Sequence, residues 1–172
     1  DAYHDLQTVF YQFPLKDVLE ILIDESLSPG TCNFNSTGLP IPGGENLCEK
    51  AYYLLNKDYS LPGVKIHLHK IIPMGAGLGG GSSDAAYTLR LLNSLFDLKI
   101  SANKLMEYAL ELGSDCPLFI HDYPQYAVGK TDFSKSLTNV CFHSLISCKT
   151  ISLQVMLLLG SICSYVWKWI YY

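Results

Sequence analysis

The sequence predicts an α+β domain, and three observations carry that prediction. Apolar and polar residues alternate from Val64 to His69, the period of a half-buried strand. Apolar residues recur at helical spacing over 85–96 and again over 105–112. Between that strand and the first of those helices lies Pro73-Met74-Gly75-Ala76-Gly77-Leu78-Gly79-Gly80-Gly81-Ser82-Ser83-Asp84-Ala85-Ala86. It holds five of the chain's 13 glycines, too many for an ordinary strand-to-helix turn. Glycine suits backbone that takes positive φ or lies close to a ligand. A glycine loop running into a helix start also aims free N–H groups at one point, which favours a phosphate or another anion. Flexible linkers are glycine-rich too, but they are not clamped between a strand and a helix.

Taken in order, Leu6–Phe13 and Val18–Ile23 mix β-branched and aromatic residues and are punctuated by Pro14-Leu15-Lys16 and Asp17, so a strand pair is expected. Ser28-Pro29-Gly30 and residues 38–44 read as turn and loop. Asn46 opens a helix: Glu49 completes a capping box, and Leu47, Ala51, Leu54 and Leu55 follow at helical spacing. His67 and His69 share one strand face. With no third ligand nearby they are expected to face solvent rather than bind a metal. Behind the glycines, Ala85, Leu89, Leu92 and Phe96 form one apolar stripe. Asp84 is expected in that helix's first turn, where a carboxylate meets the helix dipole favourably. Ser101 is the expected N-cap of the next helix, Leu105, Ala109 and Leu112 line one side of it, and Gly113 fits the C′ position. Cys116–Ile120 reads as a short strand. There is no internal repeat, and this order of elements is that of an α+β domain.

Composition sets the limits. A chain of 172 residues with 49% hydrophobic and 16% charged residues can build a core, as one domain or part of a larger one. A net charge of −4 leaves no basic footprint for nucleic acid. Six cysteines without a C-x-x-C pair are expected as buried thiols in a reducing compartment, the cytoplasm by default. The chain begins at Asp1, and no signal-peptide pattern stands at its front. From 150 to 167 it carries no charge for 18 residues, the lower edge of a membrane span. Ser152, Gln154, Ser161 and Ser164 interrupt that run, so membrane attachment is not expected. A core segment, an anchor and sequence foreign to the fold stay open as readings of this tail.

No Lys follows the glycines, which excludes a Walker loop. A dinucleotide fingerprint fits weakly at Gly75, Gly77 and Gly80, because its acidic partner could only be Asp97, at a helix end. A phosphate site of another type fits better. Pro-x-Gly-x-Gly-Leu-Gly-Gly-Gly-Ser-Ser at 73–83 resembles the phosphate loop of the GHMP small-molecule kinases. With Asp84-Ala85-Ala86 it resembles, within them, the 4-diphosphocytidyl-2-C-methyl-D-erythritol kinases. Asp1-Ala2-Tyr3-His4 resembles their Asp-Gly-Tyr-His signature, with Ala2 in place of glycine. Leu112-Gly113-Ser114-Asp115-Cys116-Pro117-Leu118-Phe119 resembles their catalytic Gly-Ala-Asp-x-Pro-x-Phe segment. The three stretches stand in family order.

The resemblance implies a GHMP-kinase N-terminal domain, a mixed sheet with packed helices, over residues 1–130 and incomplete at both ends. Residues 131–172 are left as an unassigned apolar tail. It implies transfer of the γ-phosphoryl of ATP, with Mg²⁺, to the 2-hydroxyl of 4-diphosphocytidyl-2-C-methyl-D-erythritol in isoprenoid precursor synthesis. Backbone N–H groups of Gly75, Ala76, Gly77, Leu78, Gly79, Gly80, Gly81, Ser82 and Ser83 would hold the phosphates. Ser82 or Ser83 would ligate Mg²⁺, or else simply cap the helix. Asp115 matches the base or orienter for the attacking hydroxyl, although an Asp after Gly-Ser is by itself an ordinary turn residue. Tyr3 and His4 match residues that hold cytidine, and Asn46 and Lys70 fall on the adenine side. The chain departs from the family in lacking a Pro-Ala-Lys-x-Asn-Leu strand before the Tyr-His signature and a second glycine motif after 130. A catalytically silent piece that at most binds nucleotide, or another GHMP kinase, are the alternatives.

Overall fold

The computed structural model describes the side chains of residues 10, 15–44 and 46–125, and elsewhere the backbone of the strands given below. In chain order the elements are β1 (Gln7–Phe13), β2 (Val18–Ile23), β3 (Cys32–Gly38), α1 (Leu47–Tyr59), β4 (Val64–Lys70), α2 (Gly80–Leu95), α3 (Ala102–Leu112), a 3₁₀ turn (Cys116–Phe119), β5 (Gln125–Val128), β6 (Asp132–Ser136), β7 (Gln154–Leu159) and β8 (Ser164–Lys168). The expected α+β class holds.

The strands form two sheets. One has the order β6-β5-β1-β7-β8, with β1 antiparallel to β5 and parallel to β7. The other has the order β2-β4-β3. There β4 runs antiparallel to β2 and parallel to β3, so β3, α1 and β4 make a crossover unit. The expected pairing of the first two strands is therefore corrected: β1 and β2 belong to different sheets. Asp17 supplies the reason. Its buried Oδ1 accepts the N–H of Ile71 at 2.6 Å and of Ile72 at 2.9 Å, which pins the start of β2 beside the end of β4.

In β4 the residues Val64, Ile66, Leu68 and Lys70 are buried while Lys65 and His69 are exposed, so the helices cover one face of this sheet. Tyr52 and Leu55 of α1, Leu89 and Leu92 of α2, and Leu105 and Ala109 of α3 pack over that face. The α1 start is as expected, with Asn46 and Glu49 forming a full capping box. Ser101 caps α3 by accepting the N–H of Lys104 at 3.3 Å. Gly113 ends α3 with φ 170, extended backbone rather than the left-handed turn of a C′ glycine.

Two expectations fail locally. Cys116–Phe119 is a 3₁₀ turn, not a strand; Pro117, which has no N–H for a ladder, sits in its first turn, and all four residues are buried. Asp84 is not in the first turn of α2, because the helix starts four residues earlier, at Gly80. Among the described residues no helix is long and apolar enough to cross a membrane.

Candidate active site

The site is built where β4 ends and α2 begins. Gly75, Gly77 and Gly79 have φ of 71, 69 and 69, so every second residue of the loop is left-handed. Side chains rarely adopt that conformation, and it curls the chain into the kind of concavity that binds anions. Gly79 is the N-cap of α2 and offers no side-chain cap. The first helical turn closes with the N–H of Ser83 on the Gly79 carbonyl at 2.9 Å. The N–H groups of Gly80, Gly81 and Ser82 have no intrahelical acceptor, and the positive end of the helix dipole lies among them. An anion is what such an arrangement accepts. Ser82 and Ser83 lie inside the helix, so neither is its cap.

Beneath the loop is a buried ionic cluster. Lys70, the last residue of β4, extends its ammonium to Oδ2 of Asp17 at 2.5 Å and to Oδ2 of Asp84 at 2.7 Å. The three side chains are 0–3% exposed, so no water competes for these bonds. Burial pushes the Asp84 carboxyl up to about 7, against the opposing pull of Lys70. Its Oδ1 is buried and has no hydrogen-bond partner. Gly80 is required at its position, since a Cβ there would stand 2.9 Å from the Lys70 ammonium and 3.0 Å from Ile72 Cγ2.

Asp115 arrives from the other side. It is exposed, leads the 3₁₀ turn and accepts the Ser114 hydroxyl at 3.1 Å. The next residue, Cys116, is buried, which pushes its thiol up to about 12, and the turn it belongs to packs against α2. The carboxylate thus leads a turn that rests on α2. A clip holds the turn in place. Arg90 of α2 donates to both oxygens of Asp122 at 2.7 Å, stacks 4.5 Å over the Tyr87 ring and reaches the Phe119 carbonyl. The Tyr87 hydroxyl donates to Asp122 at 2.8 Å.

The structure therefore brings together Gly75 to Ser83 and the turn that carries Asp115. Asn46 stands at the start of α1, where its side-chain oxygen accepts the Cys48 N–H at 2.7 Å. Lys70 stands under the loop with its ammonium committed to two carboxylates. Tyr3 and His4 lie outside the described residues. His67 and His69 face away from the helices and both meet the Thr37 hydroxyl, at 3.1 and 2.8 Å. Among the described residues no group of three or more His, Cys, Asp or Glu could hold a metal. Sequence reasoning read Asp17 only as punctuation between strands and missed the link between Lys70 and Asp84. The signal was present: Lys70 continues the inward row Val64, Ile66, Leu68.

Residues 46–123 match a family model described as the GHMP kinases N terminal domain. A 4-diphosphocytidyl-2-C-methyl-D-erythritol kinase of Bacteroides fragilis is 50% identical over 133 residues, which cover 75% of this chain and 47% of that protein. One of Cytophaga hutchinsonii is 47% identical over 135 residues, covering 77% and 48%. The chain spans about half the length of the curated relatives it matches. A crystal structure of 4-(cytidine 5'-diphospho)-2C-methyl-D-erythritol kinase superposes with a TM-score of 0.60 at 29% identity, over 81% of this chain and 55% of that one. A homoserine kinase from Cytophaga hutchinsonii shares the fold, with a TM-score of 0.50 at 17% identity over 64% of this chain and 39% of that one.

Proposed function

We propose, for a chain that belongs to the GHMP kinases through the N-terminal domain at residues 46–123, that it supplies the phosphate loop and catalytic carboxylate of an ATP-dependent kinase. Its substrate is 4-diphosphocytidyl-2-C-methyl-D-erythritol, phosphorylated on the 2-hydroxyl. One observation carries the reading: an uncapped helix start, preceded by left-handed glycines, opens the helix that packs against the turn presenting Asp115.

The division of labour follows from the chemistry. Phosphoryl transfer asks for positioning and charge stabilisation more than for covalent catalysis. The N–H groups of residues 80–82 and the α2 dipole meet the phosphate charge. Asp115 orients the attacking hydroxyl and takes its proton as the O–P bond forms and the bond to the leaving ADP breaks. Mg²⁺ would neutralise phosphate charge, and a hydroxyl of Ser82 or Ser83 in the first turns of α2 is the oxygen donor that suits it. The substrate half of the proposal rests on the relatives of Bacteroides fragilis and Cytophaga hutchinsonii, which are kinases of that compound.

Titration of the chain with ATP, with and without Mg²⁺, tests the phosphate loop by calorimetry. Binding is expected, and Gly79→Val should abolish it by forcing a β-branched residue into left-handed backbone. Phosphate transfer is followed by phosphorus NMR with three acceptors: the cytidyl compound, homoserine and mevalonate. Transfer to homoserine or mevalonate in place of the cytidyl compound would overturn the substrate and leave the kinase class.

A further inference from the structure

We propose that Asp17, Lys70 and Asp84 are positioning residues that fasten both feet of the glycine loop. On this reading Lys70 acts through the loop rather than by touching the nucleotide base. The inference rests on the phosphate-loop reading for its purpose, but not for its geometry.

The hydrogen bonds of the cluster run to the two ends of the loop. At the leading foot, Asp17 Oδ1 takes the N–H of Ile71 at 2.6 Å and of Ile72 at 2.9 Å, the two residues that follow β4. At the trailing foot, Asp84 lies one helical turn beyond Gly80, and its Oδ2 takes the Lys70 ammonium at 2.7 Å. The ammonium bonds both acids, so one cation ties the leading foot to the trailing one. Gly80 lets the helix start settle directly on it, within 2.9 Å of the Cβ that glycine lacks. The crest is different: at Gly75 nothing lies within 4 Å of where a Cβ would stand. A loop open at its crest and fixed at its feet depends on the feet for its shape.

Charge explains why a lysine is there. An ammonium under a helix N-terminus is badly placed with respect to the dipole, and a buried charge needs partners. The two acids supply them. Asp17 takes Lys70, Ile71 and Ile72, Asp84 Oδ2 takes Lys70, and Asp84 lies inside the helix, so neither carboxylate serves as its cap. The N–H groups of 80–82 stay open for an anion from outside. A pair that served only the core would not need to span the loop, nor demand a glycine against the ammonium.

Hydrogen exchange by mass spectrometry on the ligand-free 172-residue chain tests the fastening without any nucleotide. Asp84→Ala is expected to speed exchange of amides 73–83 by roughly tenfold while α1 and α3 amides stay unchanged. Asp84→Asn, which keeps an oxygen for Lys70, should restore it to within about twofold. Asp17→Asn is the second variant. Its side-chain oxygen can still serve Ile71 and Ile72 while its NH₂ faces the ammonium, so it should loosen the same amides. Unchanged loop exchange overturns the proposal, and so does loosening spread equally over α1 and α3, the signature of a core role alone. Affinities for ATP and adenosine separate this outcome from the functional reading. Asp84→Ala should weaken ATP by about tenfold and adenosine by less than about twofold. If the unmodified chain binds neither, the kinase reading falls, and the exchange comparison still decides the fastening.

Discussion

An ionic cluster and an ion pair flank β4, one on each face, and their lengths hardly distinguish them. Lys70 meets Asp17 and Asp84 at 2.5 and 2.7 Å, with all three side chains within 3% of full burial. On the outer face Lys65 meets Asp24 at 2.7 Å, with the lysine side chain 53% exposed. The inner cluster has lost its water, so removing one member strands a charge in the core. The outer pair keeps water on its lysine, and Asp24, 13% exposed, can be hydrated once that lysine is gone. Location, not distance, decides what a charge on this strand is worth.

The largest expected effect is therefore Lys70→Met. It leaves two buried carboxylates with no cation and should cost about 3–5 kcal/mol of unfolding free energy near neutral pH. Urea denaturation measures it, and the deficit should shrink in acid, where the stranded Asp84 carboxyl is protonated. A deficit independent of pH would mean that packing of the lysine stem, not its charge, is what was lost.

Asp84 gives the next effect, through pH. Its carboxyl is raised from 3.8 to about 7 by burial, so the folded state holds a proton that the unfolded state releases. The stability this contributes is fully present below about pH 4 and is lost as pH rises through about 7, a swing of at most about 4 kcal/mol. The groups packed around it are Lys70 of β4, Asp17 before β2, and Cys48 of α1, so helix and sheet both face it. Asp84→Asn removes this swing, and the difference between wild type and variant isolates it from the other titrating groups. If that difference is flat from pH 4 to 8, Asp84 is ionised throughout.

Glycine at position 80 should matter less than the charges but more than its neighbour. Ala at 80 would press a methyl against the ammonium at 2.9 Å, whereas at 81 it would meet the flexible Met74 end at 3.3 Å and Leu47 Cδ1 at an ordinary 3.7 Å. Gly80→Ala is expected to cost about 1–3 kcal/mol by thermal unfolding, and Gly81→Ala is expected to be near neutral or stabilising through helix propensity. Equal effects would show that the ammonium has room to move.

How much of this could be read from the sequence varies with the kind of signal. Asn46 and Ser101 were legible as caps because capping chemistry is local, three or four residues long. The glycine loop was legible for the same reason. β3 was missed because Cys-Asn-Phe-Asn-Ser-Thr-Gly buries only Cys32 fully, so an edge strand with a polar outer row carries almost no alternation. The 3₁₀ turn at Cys116 was misread because four buried residues with no period look alike as strand or turn. Asp17 was beyond reach in another sense. Its partners are 53 to 55 residues away, and nothing in Lys-Asp-Val announces a carboxylate that will bury itself against a distant loop. Lys70 was the exception that parity could have caught, being the charged member of an otherwise apolar inward row.

The smallest expected effect closes the comparison on its outer side. Lys65→Ala removes the cation from a pair in which Asp24 is also held by the Ser26 hydroxyl and N–H, at 2.6 and 3.0 Å. Those two donors stay when the lysine goes, so the carboxylate, which lies low at about 2, keeps part of its support and gains water. The urea midpoint of Lys65→Ala should match wild type within scatter. What little difference exists should vanish by about 0.5 M salt, because the Debye length then falls to a few ångströms. For Lys70→Met, salt should change nothing, since no ion reaches the cluster it disrupts. A salt-sensitive Lys70 variant, or a costly Lys65 variant, would mean that the two faces of β4 do not differ in hydration as their exposure implies.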